Sequence, residues 1–315
     1  IETKSNVIFK MSERKKKGRS IHGWLLVDKP AGISSAAVVN KVKWCFNAQK
    51  AGHAGTLDPA ATGLLVVALG DATKTIPIIT ESLKAYNFNV IWGSQTNTDD
   101  QEGDVIETSS YRPGKENIEA ALQKFRGQIM QIPPQFSAVK VNGERAYIKA
   151  RKGEKIELKS RPLWVNSLSI IEMLNKNSVS LRMECGKGGY VRAIARDLGK
   201  ELGCFAHIKS LRRTDSGPFN VKNTIQYDLF TANGRNSNLD HLILPLEIGL
   251  KGVTEIEIDI EGAVKLRQGQ SISVSNCKLI ENSKAWVSLN KKAVAMVNLK
   301  SNRLYPSKVF SQNDS

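Results

Sequence analysis

The sequence predicts a mixed α+β fold followed by a small β domain, and three patterns lead to this prediction. Residues 64–70, LLVVALG, form a continuous apolar run that is typical of a buried strand. Residues 85–93 alternate apolar and polar side chains, as a half-buried strand does. Residues 191–203 place apolar side chains at helical spacing, and the predicted helix ends at Gly203. After about residue 250, only short strand patterns separated by turns are found.

Further elements are predicted by the same rules. Residues 23–32, GWLLVDKPAG, predict a short strand that runs into a Pro/Gly turn. Ser34 or Ser35 is expected to cap the next helix, since a serine oxygen accepts a hydrogen bond from a backbone N–H of the first turn. Residues 116–129 have apolar side chains at helical spacing, and residues 179–185 alternate like a strand.

The chain has 315 residues, which favours two domains over one. We interpret residues 1–20 as a basic flexible tail that binds phosphates or is simply solvated. Residues 21–249 form the larger predicted domain, and residues 250–310 form the small β domain. Within the first domain, residues 126–162 are basic and interrupted by prolines and glycines, which predicts an extended, mobile insertion.

The charge balance favours a polyanionic partner. Lys and Arg number 46 against 30 Asp and Glu, a formal net charge of +16. Such an excess attracts nucleic acid first and an anionic membrane surface second, although a solvated basic surface is the simplest alternative. No apolar run approaches the ~20 residues that span a bilayer, so we expect no membrane segment.

Several function classes lack their sequence signatures. The chain has no GxxxxGK[ST] phosphate loop and no dinucleotide fingerprint. Its four cysteines have no metal-ligand spacing, so we expect no metal and no cofactor. They are interpreted as reduced, mostly buried thiols of a cytoplasmic protein: Cys45, Cys185, Cys204 and Cys277.

The segment AGHAGTLDPAATG (51–63) is the strongest candidate for a reactive site. It surrounds a single acid, Asp58, with glycines that let the backbone turn sharply and approach a ligand. A carboxylate held on such a loop can serve as a nucleophile or as a general base. On local pattern alone, Asp58 could equally cap a turn before Pro59.

Six sequence blocks in fixed order resemble the TruB family of tRNA pseudouridine synthases, from about residue 23 to about residue 219. The blocks are GWLLVDKPAGISS, AGHAGTLDPAATGLLVVALGDATK, KAYNFNVIWG, QIPPQFSAVKVNGERAY, RPLWV and CGKGGYVRAIARDLGKELGCFAHIKSLRR. The resemblance implies a mainly antiparallel mixed sheet flanked by helices, with a terminal PUA-like RNA-binding β domain. The GHAGTLDP and GKGGYVR blocks also resemble the Cbf5/dyskerin relatives. One departure is Ala54, where the family commonly has Thr or Ser; activity is expected to survive it.

The resemblance implies catalytic roles for three residues. Asp58 matches the essential aspartate of the GHxGxLDP motif, which acts at the ribose as nucleophile or base while the uracil is freed from nitrogen and rejoined through carbon. Tyr190 matches the tyrosine that stacks on the uracil or takes the C5 proton. Arg192 matches the arginine that pairs with the aspartate and keeps it ionised. From local pattern alone, Tyr190 is a core aromatic and Arg192 a solvated helix arginine like Arg196, which is expected to face outward.

Substrate-binding roles are implied for four more residues. Tyr86 matches the tyrosine that packs against the base, and otherwise extends the apolar face of its strand. His53 matches the histidine that fills the gap left in the RNA stack, although a lone histidine is more often structural. Leu211 is expected to line the pocket, and Arg212 or its neighbour Arg213 to contact a phosphate.

The implied substrate is the uridine numbered 55 in the T loop of tRNA, which must be flipped out of its stack before its glycosidic bond can be reached. The insertion is expected to clamp the T stem-loop, and the terminal domain to contact the acceptor end. The insertion's cationic residues are Arg126, Lys140, Arg145, Lys149, Arg151, Lys152, Lys155 and Lys159. A monomer that needs no guide RNA fits this long insertion best. The alternatives are a tRNA-folding chaperone and a subunit that depends on guide RNA and partner proteins.

Overall fold

The computed structural model describes residues 18–154, 156–235, 237–274 and 283–311. Most of the predicted tail, as well as Lys155 and Cys277, therefore lies outside the described residues. Up to residue 250 the strands are β1 (Gly23–Lys29), β2 (Ala51–His53), β3 (Thr62–Leu69), β4 (Lys84–Trp92), β5 (Ser94–Thr96), β6 (Val105–Thr108), β7 (Gly127–Gln131), β8 (Lys140–Val141), β9 (Glu144–Arg145), β10 (Arg161–Asn175), β11 (Ser178–Cys185), β12 (Ala206–Ser216), β13 (Phe219–Asn220) and β14 (Ile225–Gln226). The helices of the same part are α1 (Ser35–Cys45), α2 (Ile76–Glu81), α3 (Lys115–Gln123), α4 (Ala146–Arg151), α5 (Val191–Glu201) and α6 (Asp228–Ala232).

A large mixed sheet organises this part of the chain, with the strand order β14-β1-β3-β12-β4-β11-β10-β7. Strands β2 and β13 pair at its side, with β3 and β12 respectively. Two pairings are parallel, β1 with β14 and β3 with β12, and the remaining ones are antiparallel. The predicted mixed and mainly antiparallel sheet is therefore confirmed.

The continuous apolar run in β3 is explained by burial on both faces of the sheet. Leu64 and Val66 pack into one core with Trp24, while Leu65 and Val67 pack into another with α1 and α6. A strand that is covered on both faces has no solvent side, so it needs no polar alternation. A third core lies between strands β4 and β11 and the helices α3 and α5.

Local capping rules account for the start of α1 and the end of α5. Ser34 caps α1, as its Oγ accepts a hydrogen bond from the N–H of Ala37 at 3.2 Å. At the end of α5, Gly203 takes a left-handed φ of 68°, which glycine adopts without strain.

The three described cysteines are buried free thiols: Cys45, Cys185 and Cys204. Within the described ranges, no helix is long and apolar enough to cross a membrane.

The prediction of one helix over residues 116–129 is wrong at its C-terminal end. Helix α3 ends at Gln123, and Gly127 then takes a φ of 77° and begins strand β7. Ile129, which fits helical spacing, instead pairs with Leu163 of β10. The ends of the predicted insertion thus belong to the large sheet, and residues 132–160 stand between them.

The C-terminal part of the chain consists of a second sheet and a helix that the sequence did not predict. Its elements are β15 (Thr254–Glu257), α7 (Ile260–Arg267), β16 (Ile272–Ser273), β17 (Lys284–Leu289), β18 (Lys292–Lys300) and β19 (Arg303–Val309), with the strand order β15-β17-β18-β19-β16. The side chain of Asp259 caps α7 by accepting from the N–H of Gly262 at 2.7 Å. Only Ala263 and Leu266 of this short helix are fully buried apolar side chains, so its sequence pattern is weak.

Candidate active site

Asp58 lies on the loop between β2 and β3. Buried side chains hold the backbone of this loop by hydrogen bonds. The Oγ of Ser35 both donates to the carbonyl of Leu57 and accepts from its N–H, each at 2.9 Å. The Nζ of Lys29 donates to the carbonyl of Pro59 at 2.9 Å. The guanidinium of Arg213 donates to the Gly55 carbonyl at 3.1 Å. The loop backbone is therefore anchored on both sides of Asp58, whose side chain remains 42% exposed.

Arg192 pairs with Asp58. Its Nη2 lies 2.9 Å from Oδ2 of Asp58, while the arginine side chain itself is only 8% exposed. The same guanidinium donates to the carbonyls of Thr98 and Phe136, at 2.9 and 3.0 Å. Asp100 lies on its other side at 3.6 Å. A nearly buried guanidinium with fixed acceptors is held rigidly, so it orients the Asp58 carboxylate.

A cleft leads to this ion pair. The acid, the arginine and Leu211 all line it, as the resemblance implies. The remaining lining residues are Ala60, Ala61, Asp100, Gln101, Ile208, Lys209 and Ser210. The lining thus combines apolar side chains, such as Ile208 and Leu211, with charged ones. Such a mixture suits a ligand that has both apolar and polar surface.

Two tyrosines stand beside the ion pair. Tyr190 precedes α5 directly, and Gln131 fixes its backbone by accepting from its N–H at 2.9 Å and donating to its carbonyl at 3.1 Å. Burial raises the pKa of Tyr190, and the charge of Asp58 adds to the increase. Tyr86 lies in the middle of β4 with 9% of its surface exposed, and burial raises its pKa as well. Both phenols are therefore neutral at physiological pH.

His53 does not line the cleft, although it lies in the neighbouring strand β2. Burial lowers its pKa, with the Arg213 charge adding to the decrease, so the ring is neutral. Among the described residues its Nδ1 has no hydrogen-bond partner.

The predicted phosphate contacts of the adjacent arginines are not supported by the structure. Arg213 is 1% exposed and donates to loop carbonyls, so it cannot reach a phosphate. Arg212 forms a two-point ion pair with Asp28, at 2.9 and 2.7 Å, and a phosphate would have to compete with this partner. The outward position expected for Arg196 is also wrong. It is 9% exposed and pairs with Asp99 at 3.0 Å.

Four residues support the site: Lys29, Asp100, Gln131 and Arg213. The sequence predicted no role for the first three and a different role for Arg213. Lys29 follows an apolar strand, and a charged side chain at that point was the one available signal. Burial lowers its pKa to about 8, while Asp58 acts in the opposite direction. The other three come from distant segments and meet the site only through the sheet. Within the described ranges, no cluster of three acidic, histidine or cysteine side chains is placed to hold a metal ion.

The insertion packs directly against the site. Its small apolar core consists of Val139, Ala146, Ile156 and Leu158, and Tyr190 packs against this core. Its predicted RNA-binding cations differ in their availability. Lys140, Arg145, Arg151 and Lys152 are exposed, whereas Lys149 is partly buried. Lys149 and Lys152 also form ion pairs within the insertion, both with Glu144.

The fold is shared by solved structures of Cbf5 complexes. A Cbf5–Nop10–Gar1 complex matches with a TM-score of 0.69 and 25% identity, over 92% of this chain and 85% of that one. An archaeal box H/ACA Nop10–Cbf5 complex matches with a TM-score of 0.68 and 22% identity, over 97% and 94%. The large sheet, with an acid on the β2–β3 loop, thus has the pseudouridine-synthase fold.

Two family models cover the site. "TruB family pseudouridylate synthase (N terminal domain)" matches residues 43–191, and "tRNA pseudouridylate synthase B C-terminal domain" matches residues 192–251. Proteins named tRNA pseudouridine synthase B are similar over nearly their whole length. Those of a Ruegeria species and of Cereibacter sphaeroides are 52% and 54% identical, each over 95% of this chain and 99% of the relative. The chain belongs to the TruB family of pseudouridine synthases.

Proposed function

We propose that this protein converts uridine 55 in the T loop of tRNA to pseudouridine, with Asp58 as the catalytic carboxylate. The single observation that carries this proposal is the Asp58–Arg192 pair, 2.9 Å apart, whose two side chains line the same cleft. The relatives' shared name supports tRNA as the substrate. The cytoplasm is the compartment in which we expect the reaction.

The chemistry requires only groups that the chain supplies. Asp58 acts at the ribose, either by bonding to C1′ or by removing the 2′ proton. The N1–C1′ bond breaks and the freed uracil turns. A C5–C1′ bond then forms, either as the Asp58–C1′ bond breaks or as the abstracted proton returns to C2′. The C5 proton is then lost and N1 gains a proton, so that no atom is added or removed. Arg192 orients the carboxylate through their 2.9 Å contact, and we assign to Tyr190 the stacking on the ring or the removal of the C5 proton.

Binding requires contacts from the insertion and a change in the conformation of the T loop. The target base has to leave the T-loop stack, and the neutral ring of His53 can occupy the gap that the base leaves. We infer that exposed cations of the insertion contact the backbone of the T stem-loop and that the C-terminal domain contacts the acceptor end. We propose that the protein does this as a monomer without guide RNA.

The function is tested with the purified protein and tRNA transcripts, without any other protein or RNA. A purified tRNA transcript is incubated with the protein, and pseudouridine is mapped by mass spectrometry. We expect modification at position 55 and none in a transcript that carries cytidine there. Absence of pseudouridine, or its formation elsewhere in the first transcript, would contradict the proposal.

The role of the insertion is tested through the salt dependence of binding. Replacing Lys140, Arg145 and Arg151 by Gln is expected to weaken tRNA binding. It should reduce the slope of log affinity against log salt by roughly 2 to 3, since each phosphate contact contributes about 0.7 to 0.9. Triple replacement of the exposed Lys115, Lys176 and Lys222 is the matched control and should leave the slope largely unchanged. Equal slopes for both triple variants would rule out the insertion as the clamp.

A further inference from the structure

Helix α5 carries two arginines, one turn apart, that contact the same two segments of the chain. Arg192 donates to Thr98 and Phe136, at 2.9 and 3.0 Å. Arg196 donates to the carboxylate of Asp99 at 3.0 Å and to the carbonyl of Ile132 at 2.7 Å. Each arginine therefore joins the turn at 96–100 to residues 132–136 of the insertion.

The pair formed by Arg196 and Asp99 is buried. The two side chains are 10% and 6% exposed, and Arg196 also bonds the neighbouring Asp197 from its Nε at 2.8 Å. A buried charge that loses its partner is strongly unfavourable, so this contact is maintained as long as the two segments stay in place. By contrast, Asp197 is 32% exposed and contacts the same arginine from the solvent side.

Asp99 sits in an uncommon backbone conformation that brings its neighbours to the active site. Its φ is 61°, in the left-handed region that aspartate tolerates better than most residues. Its carbonyl accepts from the N–H of Ile208 at 3.1 Å, which ties the turn to β12. On either side of Asp99, the Thr98 carbonyl and the Asp100 carboxylate face Arg192, at 2.9 and 3.6 Å.

The Arg196 guanidinium also holds the segment of the insertion that follows β7. Ile132 follows strand β7 directly, and its carbonyl accepts from Arg196. One residue earlier, Gln131 fixes the backbone of Tyr190. A shift of Arg196 would thus move both the turn that aligns Arg192 and the segment that supports Tyr190.

We propose that Arg196 and Asp99 are positioning residues for catalysis. The Arg196 guanidinium holds the 96–100 turn through Asp99 and the start of the insertion through Ile132. Both segments also contact Arg192, so this arrangement keeps Arg192 aimed at Asp58. This inference rests on the proposed function, because it concerns the rate of that reaction.

The test compares Asp99→Asn and Arg196→Lys with the control Asp197→Asn. A misplacement of about 1 Å at a catalytic group can cost about a hundredfold, so we expect both variants to lower the single-turnover rate at saturating enzyme by about 10- to 100-fold. Affinity for tRNA should change less than about threefold, which separates positioning from binding. Asp197→Asn should keep the wild-type rate, because its partner Arg196 retains the contacts to Asp99 and Ile132.

Hydrogen exchange measured by mass spectrometry supplies a readout that does not depend on activity. In both variants we expect faster exchange in peptides covering 96–101 and 131–137, with unchanged exchange in β17 and β18 as evidence of folding. Wild-type rates and exchange in folded Asp99→Asn and Arg196→Lys would overturn the inference. An inactive wild-type protein would instead refute the proposed function, and the exchange data would still decide whether the pair positions these segments.

Discussion

Asp58→Asn is expected to abolish pseudouridine formation while tRNA binding persists. The amide keeps the size of the side chain but can act neither as nucleophile nor as base, and it loses the charge that pairs with Arg192. We expect the single-turnover rate to fall by at least about a thousandfold, as for other residues that perform the chemical step. Affinity should stay within about tenfold, or ~1.4 kcal/mol, because most RNA contacts are elsewhere.

The matched control for this variant is Asp104→Asn. Asp104 is an exposed acid near the β5–β6 hairpin that does not line the cleft. Its replacement removes the same charge from the same protein, and the rate should remain that of the wild type. Normal modification by Asp58→Asn would refute the proposed mechanism, whereas loss of tRNA binding by more than tenfold would show that Asp58 acts mainly in recognition.

Arg192→Lys is expected to have the second largest effect, although it preserves the charge. The guanidinium of Arg192 contacts Asp58, Thr98 and Phe136 in three directions from one plane. A lysine ammonium is a compact, strongly hydrated charge that cannot reproduce this fork. We expect the rate to fall by about 100-fold, or ~2.7 kcal/mol in activation free energy.

The control is the same substitution at another ion-paired arginine. Arg182 on β11 pairs with Asp215 at 3.1 Å, but its side chain is 43% exposed and it does not line the cleft. Arg182→Lys should therefore change neither the rate nor tRNA affinity. If Arg192→Lys modified tRNA as fast as Arg182→Lys, the forked geometry of the active-site arginine would be irrelevant to catalysis.

Much of the secondary structure follows from local sequence because local rules set it. The apolar run of β3, the alternation of β4 and the serine cap of α1 are each decided by neighbouring residues. The same local rules failed where two patterns compete. Helical spacing continues through Ile129, but Gly127 and the pairing of β7 with β10 turn this segment into a strand. Helix α7 was missed because it is short and partly exposed.

The environment of Arg196 shows the main limit of a helical pattern. Spacing places it away from the apolar side chains of α5, which indicates a solvent-facing position. In the structure the 96–100 turn and the start of the insertion cover that side of the helix. A charged residue on the polar side of a helix is therefore not necessarily exposed, since polar segments of the same chain can enclose it.

Local sequence is enough to predict the α+β class, the acid on its glycine-rich loop and the family resemblance that pairs this acid with Arg192. These depend on residue order, on glycine conformations and on short-range periodicity. Which distant groups hold the site depends on tertiary packing: Lys29 and Arg213 contact the loop, Gln131 contacts Tyr190, and Asp99 and Asp100 contact the arginines. Their contacts join segments separated by tens of residues or more, and no local pattern encodes which of these segments the sheet brings together.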